Sequence, residues 1–484
     1  MIRIYLDWGV ISNLKKPEFS DLKLFIDSNR EALQFPFSPA HFTDLMKSHN
    51  PDNEYFGMDL ESLSTLSKNH LMRWEENRTM PLVGTPEEYF EGEKKRGDDK
   101  SPIDIEKVYK ELDEVGDELG ISNVGSQMKS LYQSQPTGIE LNDENRRHLK
   151  KMFPSINSSS SMWDLMKEIA PFSKKLFYDK EFYKDYRKTL REVGFELDSN
   201  HGNWSEEEVI GNLDISLSKL GTELTFLEYV KSSIELRNEE VNRYNYFTSA
   251  YIMLDLIGYK SDKLKKTTDS MQNIYTDGEH AFYGAHCDYF VVIDKNLKDK
   301  TKVLYNKLGI PTEVITPSEL IGTLSKTIHA IPMKGDPFLT EALSFINNEY
   351  VEESFPSSGD DDVEFHTIKL PKFYFNFFNY MIYSIYPSIE GIALTFKRVF
   401  KNYSDFIYYT EVESLIHNIT SCFGYDDLED LKTKTKEFVQ GNEDTFIIWQ
   451  FEGGQIRLGI DSETRRPILS YVLSTREKGA TNST

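Results

Sequence analysis

The chain has 484 residues, which is enough for two or three domains. Apolar residues make up 39% of it and the 27 glycines add about 6%, which together give the share typical of globular proteins, so the composition excludes a wholly disordered chain. The formal net charge of −23 excludes an evenly basic surface that wraps duplex DNA. Contact with nucleic acid would therefore need a local basic patch or an acidic site loaded with metal.

The first predicted element is a buried strand at residues 2–6 (IRIYL), which ends at Asp7. A second strand is predicted near residues 34–37. Ser38 and Pro39 then form a typical helix start, with a hydroxyl cap followed by proline at the first helical position. These patterns predict the start of an α/β unit.

The residue pattern changes over residues 87–240, where charged residues dominate and apolar residues recur at helical spacing, as in IEKVYKELDEVGDEL. This pattern predicts a mainly helical insertion. After it, the T-x-x-E pattern at residues 276–279 predicts a capping box that opens a helix and places Asp277 in its first turn. A continuous apolar strand is predicted at residues 289–293 and ends at Asp294.

A basic helix ending at Gly309, a strand at residues 313–315 and a helix opened by Thr316 and Pro317 complete the strand–helix alternation. Strands and helices at this spacing predict an α/β domain with a central parallel sheet covered by helices on both faces.

The remaining chain is predicted to form a C-terminal α+β domain. Residues 351–364 are expected to be an acidic linker, and the aromatic run at residues 373–386 a core helix. Residues 446–451 and 455–460 are expected to form a hairpin, followed by a strand at residues 468–474.

Four aspartates stand out: Asp7, Asp44, Asp277 and Asp294. Two of them follow buried strands, and the carboxyl ends of parallel strands line the ligand crevice of such sheets. Several carboxylates brought together repel unless a cation neutralises them, and Mg²⁺ or Mn²⁺ prefers oxygen ligands. The matching chemistry is metal-assisted attack of water on a phosphodiester. Taken singly, however, aspartates at strand ends and helix starts are common as caps and turn formers.

The order of these elements resembles the PIN-domain nucleases. The matching stretches are IYLDWGVISNL, FSPAHFTDL and TDGEHAFYGAHCDYFVVIDKNL, and KTKVLYNKLGIPTEVITPSEL resembles the closing part of that fold. The resemblance implies a three-layer PIN-like domain and metal-binding acids at Asp7, Asp44, Asp277 and Asp294. It also implies a ribonuclease that uses Mg²⁺ or Mn²⁺, in the manner of family members that act as toxins or in RNA processing.

This interpretation divides the chain into five parts. They are a first part of the nuclease domain (1–80), a helical insertion (81–240), the second part of the nuclease domain (241–330), a helical segment with an acidic linker (331–364), and a C-terminal α+β domain (365–484).

Further residues are candidates for binding substrate, namely Ser12, Ser38, His41, His280 and Lys295. Lysines near the third motif and after Asp294 add a local basic stretch that suits an RNA track, although an ordinary solvated helix face explains them equally well. Glu279 is either a fifth metal ligand or the capping partner of Thr276.

Two other functions stay open. In the first alternative, the acids are vestigial and the chain is a binding or regulatory protein that acts through its insertion and C-terminal domain. The other is a phosphatase of the haloacid dehalogenase type, which needs a second aspartate where this chain has Gly9. The two cysteines, Cys287 and Cys422, indicate reduced thiols in a cytoplasmic protein. No membrane contact is expected, whereas a homo-oligomer or a regulatory protein partner is compatible with the sequence.

Overall fold

A four-stranded sheet, a seven-stranded sheet and a hairpin, joined by helices, build this protein. The structure is a computed structural model that describes residues 1–48, 54–97, 105–118, 120–137, 149–192, 197, 201–219, 221–237, 239–266, 269–330, 336–346, 351–356, 363–386, 391–441, 444–451 and 454–474.

Within these ranges the strands are β1 (Ile2–Leu6), β2 (Leu33–Gln34), β3 (His70–Glu75), β4 (Arg78–Val83), β5 (Tyr289–Val291), β6 (Glu313–Ile315), β7 (Val351–Pro356), β8 (Glu364–Tyr374), β9 (Phe378–Tyr386), β10 (Gly391–Lys397), β11 (Ile447–Phe451), β12 (Gly454–Ile460) and β13 (Pro467–Ser474).

The helices in the same ranges are α1 (Trp8–Asn13), α2 (Ser20–Ser28), α3 (Pro39–Ser48), α4 (Glu54–Ser67), α5 (Pro86–Gly97), α6 (Ile105–Glu118), α7 (Val124–Ser134), α8 (Met162–Tyr178), α9 (Lys180–Glu192), α10 (Glu208–Lys219), α11 (Phe226–Leu236), α12 (Arg243–Leu256), α13 (Met271–Gly284), α14 (Lys295–Leu308), α15 (Pro317–Thr327), α16 (Asp336–Ser344), α17 (Tyr409–Phe423) and α18 (Leu428–Val439).

The first sheet is parallel and has the order β2-β1-β5-β6. Every residue of β1 and β5 is buried, as expected of parallel strands that are covered on both faces. Ile4 packs on one face with residues of α2 and α15, and Tyr5 packs on the other with residues of α12, α13 and α14. The strands predicted at residues 2–6 and 313–315 are confirmed, the one predicted at 289–293 ends at Val291, and the one predicted near 34–37 lies at Leu33–Gln34. The fold is mixed α/β.

The second sheet is antiparallel and has the order β11-β12-β13-β10-β9-β8-β7. Helices α17 and α18 contribute to its core, which includes Trp449, Tyr471 and Phe396. The predicted hairpin and the strand after it are confirmed as β11, β12 and β13, although Gly453 in the hairpin loop lies outside the described residues.

Two predictions about this second sheet were wrong. Residues 373–386 form no core helix, because β8 turns at Phe375 and Asn376 and continues as β9. The aromatic and β-branched side chains of this run favour a strand, and Asn376 takes up a φ of 54°, which asparagine tolerates in turns. The expected linker begins with strand β7, which pairs with β8, and residues 357–362 lie outside the described residues.

Helices α5 to α11 confirm the helical character of residues 87–240 within the described ranges, while the division into domains stays a prediction. The hairpin of β3 and β4 was not predicted. Its turn residues Glu76 and Asn77 both have positive φ values, 48° and 62°, as in the tight turns that match the twist of a hairpin. Among the described residues, no helix has both the length and the apolar character needed to cross a membrane.

A buried ion pair joins the parallel sheet to the C-terminal part of the chain. Arg3 of β1 is fully buried and donates from Nε to Oε1 of Glu411 (2.8 Å) and from Nη2 to Oε2 (2.6 Å). Its remaining donors reach Oγ of Ser404 (2.6 Å) and the carbonyl oxygen of Phe406 (2.7 Å). Because the pair is bidentate and every guanidinium nitrogen donates a hydrogen bond, it fixes helix α17 against the amino-terminal end of β1.

We expect Glu411→Gln to lower the free energy of unfolding by about 3 kcal/mol, because the substitution leaves the Arg3 guanidinium buried without a counter-charge. Urea denaturation at pH 7 measures this loss. Glu413→Gln is the matched control, since Glu413 is an exposed residue of the same helix and its removal should cost less than about 0.5 kcal/mol. Equal losses in the two variants would contradict the assignment.

The same pair should make stability depend on pH. Burial alone would raise the pKa of Glu411, but the charge of Arg3 and its hydrogen bonds lower that pKa below the ordinary value of 4.5. A lowered carboxylate pKa adds stability above the pKa of the unfolded chain, and this contribution is lost as the pH falls through the folded pKa. The difference between the wild type and Glu411→Gln should therefore shrink below pH 4.5, as followed by urea denaturation across an acid pH series.

Candidate functional site

The carboxyl edge of the parallel sheet brings two of the predicted acids together. Strands β1 and β5 are neighbours, with Leu6 paired to Val291. Asp7 follows β1 and caps α1 by accepting a hydrogen bond from the N–H of Gly9 (3.1 Å), and Asp294 follows β5 and caps α14. Burial is the main cause that raises the pKa of Asp7, and the nearby charge of Asp294 adds to it.

Asp44 on α3 forms an ion pair with His280 on α13. Nε2 of His280 lies 3.0 Å from Oδ2 of Asp44 and 3.9 Å from Oδ1 of Asp7. Burial alone would lower the pKa of His280, but the hydrogen bond to Asp44 and the charge of Asp7 raise it. Burial would likewise raise the pKa of Asp44, but His280 and Lys47 lower it to about 2. The imidazole of His280 thus faces two acids of the edge, and both favour its charged form.

Tyr5, from β1, connects His280 to the residues that begin α3. Its hydroxyl lies 2.9 Å from Nδ1 of His280 and 2.5 Å from Oγ of Ser38. The N–H of Ser38 donates to Nδ1 of His41 (3.1 Å), which leaves Nε2 of His41 to donate to the carbonyl oxygen of Leu6 (2.9 Å). Burial lowers the pKa of His41 to about 3, so this ring is neutral. Ser38 and His41 are fully buried, so in this structure they position β1 and α3 and do not face solvent.

Asp277 lies in the middle of α13, so the predicted capping box was wrong. The helix begins at Met271, after Ser270, which forms the capping box with Asn273. Thr276 instead donates its hydroxyl to a backbone carbonyl one turn earlier, at 2.8 Å. The T-x-x-E pattern also occurs inside uninterrupted helices, and the preceding S-M-Q-N segment supplies the actual cap.

Asp277 is partly buried, and no hydrogen bond or ion pair from any described residue reaches its carboxylate. Its pKa is raised well above the ordinary value, first by burial and then by the charge of Asp262. Asp7 and Asp44 raise this pKa further, and Lys300 opposes them. A cation at this position would therefore relieve both the burial of the charge and the repulsion between the acids.

A second buried cluster, which the sequence analysis missed, lies beside Asp277. Nζ of Lys300 is 3.2 Å from Asp255 and 3.4 Å from Asp262, and Lys300 and Asp255 are fully buried. Lys300 is therefore unavailable for the basic stretch that we considered as an RNA track. The signal was present in the sequence, because Leu297 and Leu304 mark the inner face of α14 on which Lys300 also lies.

The other lysines of the basic stretch divide into two sets. Three are held in ion pairs on the surface, namely Lys260 with Asp299, Lys298 with Glu319, and Lys302 with Glu206. Four are exposed and have no ion pair with any described residue: Lys263, Lys265, Lys266 and Lys295. The second set follows Asp262 and Asp294 in the sequence. The pKa of Asp262 is raised mainly by burial and also by the nearby charge of Asp294.

Two further candidates are held by hydrogen bonds within the protein. Glu279 accepts a hydrogen bond from the hydroxyl of Tyr244 at 2.5 Å and does not cap a helix. Burial, the main cause, raises the pKa of Glu279 to about 7. The hydroxyl of Ser12 on α1 lies 3.5 Å from the carbonyl oxygen of Gly9 and is half-buried.

As their side chains lie, no three or more His, Cys, Asp or Glu residues of the described ranges form a group that could hold a metal ion. Comparisons with protein-family models, curated proteins and solved structures give no match for this chain. The metal and the nuclease activity implied by the PIN-domain resemblance are therefore proposals.

We expect Asp277→Asn and Asp44→Asn to change stability in opposite directions. Asp277→Asn should raise the free energy of unfolding by about 1 kcal/mol, because it removes a carboxylate that lacks a partner. Asp44→Asn should lower it by about 1–2 kcal/mol, because His280 and Lys47 lower the pKa of Asp44 from 3.8 to about 2. Urea unfolding at pH 7 in EDTA measures both, and a loss of stability in Asp277→Asn would contradict this description of the site.

Proposed function

We propose that the chain is a metal-dependent endoribonuclease that hydrolyses phosphodiester bonds at the carboxyl edge of the parallel sheet. The observation that carries this proposal is Asp277. Its carboxylate has no partner among the described residues, and the charge of Asp7 raises its pKa. Asp7 follows β1, which pairs with β5, the strand that precedes Asp294. A protein has no structural need for such an acid, since its burial costs stability unless a ligand compensates.

The donor set has the chemistry of a site for a hard divalent cation. Asp7, Asp277 and Asp294 offer oxygen ligands, which Mg²⁺ and Mn²⁺ prefer. When bound, such an ion would activate a water molecule and stabilise negative charge on the phosphate. Because the side chains that the structure describes form no group of three ligands as they lie, binding would require the carboxylates to rearrange.

The remaining residues of the edge support this role. The ion pair of His280 and Asp44 holds α13 against α3, so Asp44 would act on the site by positioning and by its charge. Lys295, directly after Asp294, is exposed and has no ion pair among the described residues, so it is free to contact a backbone phosphate. The exposed lysines at positions 263, 265 and 266 extend this contact, and single-stranded RNA is the substrate we propose.

A second candidate function is a catalytically vestigial protein that binds or regulates a partner. It is favoured by His280, whose imidazole already lies against Asp44 and Asp7, and by the lack of a three-ligand group among the described side chains. Under this alternative, only cationic side chains of the protein neutralise the acids at the carboxyl edge of the sheet.

The proposal predicts that Asp277→Asn and Asp294→Asn lower RNA cleavage by at least about 100-fold, because each removes a ligand charge. Cleavage is measured on labelled single-stranded RNA with Mg²⁺, with Mn²⁺ and with EDTA, and a DNA of the same sequence tests the choice of RNA. Asp21→Asn is the control, since Asp21 is an exposed acid on α2. Wild-type cleavage that persists in EDTA, or in Asp277→Asn, would overturn the mechanism.

Calorimetric titration with Mn²⁺ separates the two candidate functions. A working site should bind Mn²⁺ in the wild type, and Asp277→Asn should weaken this binding by at least about tenfold. A vestigial site should release no binding heat in the wild type at millimolar Mn²⁺. Asp21→Asn again serves as the control, and it should bind Mn²⁺ as the wild type does.

A further inference from the structure

A cleft of about 370 Å³ lies at the opposite end of the parallel sheet, between that sheet and the antiparallel one. Asp288 and Glu313, which lie at the amino-terminal ends of β5 and β6, form one side of it. The other side is formed by residues of β8 and β9 and by the segment that follows β10. Its volume is that of a typical site for a small molecule, and such sites are common between domains.

Three lysines line this cleft in a chain whose net charge is −23. The side chain of Lys369 is exposed, and its amine has no ion pair or hydrogen bond with any described residue. Lys372 pairs with Glu341 at 2.9 Å and Lys401 with Glu352 at 3.3 Å. Both of these partners lie outside the cleft lining, so the amines can exchange them for an anion in the cleft.

One of the two carboxylates in the lining, Asp288, competes little for these lysines. Asp288 is already paired with Arg398, whose Nη2 lies 2.5 Å from its Oδ2. Arg398 is buried, and its Nη1 has no hydrogen-bond partner among the described residues. Its guanidinium lies 4.8 Å from the ring centre of Phe373 and 4.9 Å from that of Phe400, two rings that form the wall of the cleft. An unsatisfied cationic donor therefore lies directly behind that wall.

Aromatic rings complete the lining. Tyr289, Phe373, Tyr380 and Phe400 all contribute to it, and Nζ of Lys401 lies 5.0 Å from the ring centre of Tyr380. Lysines beside aromatic rings are the combination that binds a phosphate together with a flat base. We propose that this cleft binds a nucleoside phosphate, with Lys369 and Lys401 contacting the phosphate. The proposal does not rest on the nuclease function, because the cleft lies at the other end of the sheet from the acids.

The test is calorimetric titration of the full chain with ADP. EDTA is present so that no metal contributes at the acidic edge, the end of the parallel sheet that carries Asp7, Asp277 and Asp294. The double variant Lys369→Gln/Lys401→Gln should bind ADP about tenfold or more weakly, because each lysine makes a charge-assisted contact with phosphate. Lys432→Gln is the matched control, since Lys432 is an exposed lysine on α18 that does not line the cleft. It should bind ADP as the wild type does.

Inorganic phosphate and adenosine, titrated separately, should each bind more weakly than ADP, because each offers one half of the contacts. The proposal is overturned if ADP gives no saturable heat at millimolar concentration, or if the double variant and Lys432→Gln bind it equally. Asp277→Asn should bind ADP like the wild type. A change in ADP affinity in either direction in this variant would place the nucleotide at the acidic edge and overturn the assignment to the cleft.

Discussion

The buried pair of Arg3 and Glu411 sets the geometry on which the rest of the protein depends. Arg3 is the second residue of a strand of only five residues, and Asp7 follows the end of that strand. The guanidinium cannot shift without losing hydrogen bonds in a dry environment, where an unpaired charge is costly. The C-terminal part of the chain therefore holds β1 in register, and β1 in turn fixes the position of Asp7 at the acidic edge.

At that edge, protein cations neutralise some acids and leave others. His280 and Lys47 form ion pairs with Asp44, and Lys300 forms ion pairs with Asp255 and Asp262. Asp277 lies beside both groups and has no partner among the described residues, so its ionised form is disfavoured as the chain stands. Natural proteins keep such groups where a ligand or a reaction needs them, at a cost in stability. This imbalance distinguishes Asp277 from a capping residue and motivates the proposed metal site.

How far the sequence predicts this structure depends on how local each signal is. Strand β1, strand β5 and the helix caps at Asp294 and Thr316 follow from short patterns, because continuous apolar runs and capping residues act within a few positions. The aromatic run at residues 373–386 could be read as helix or strand, and pairing across the sheet decided it. The roles of Asp262, Lys300 and Arg3 could not be predicted, because each depends on a partner from a distant part of the chain.

Strand β5 connects the two ends of the parallel sheet, the cleft at one end and the acids at the other. At its amino-terminal end, Asp288 accepts a hydrogen bond from the backbone N–H of Arg3 (2.8 Å) and pairs with Arg398 beside the cleft. At its carboxyl end the chain reaches Asp294 within six residues, about 20 Å of extended backbone. Oδ2 of Asp288 therefore joins Arg398 and the backbone of β1 at the amino-terminal end of β5. Strands β1 and β5 thus run from the contacts of Asp288 beside the cleft to Asp7 and Asp294 at the other end of the sheet.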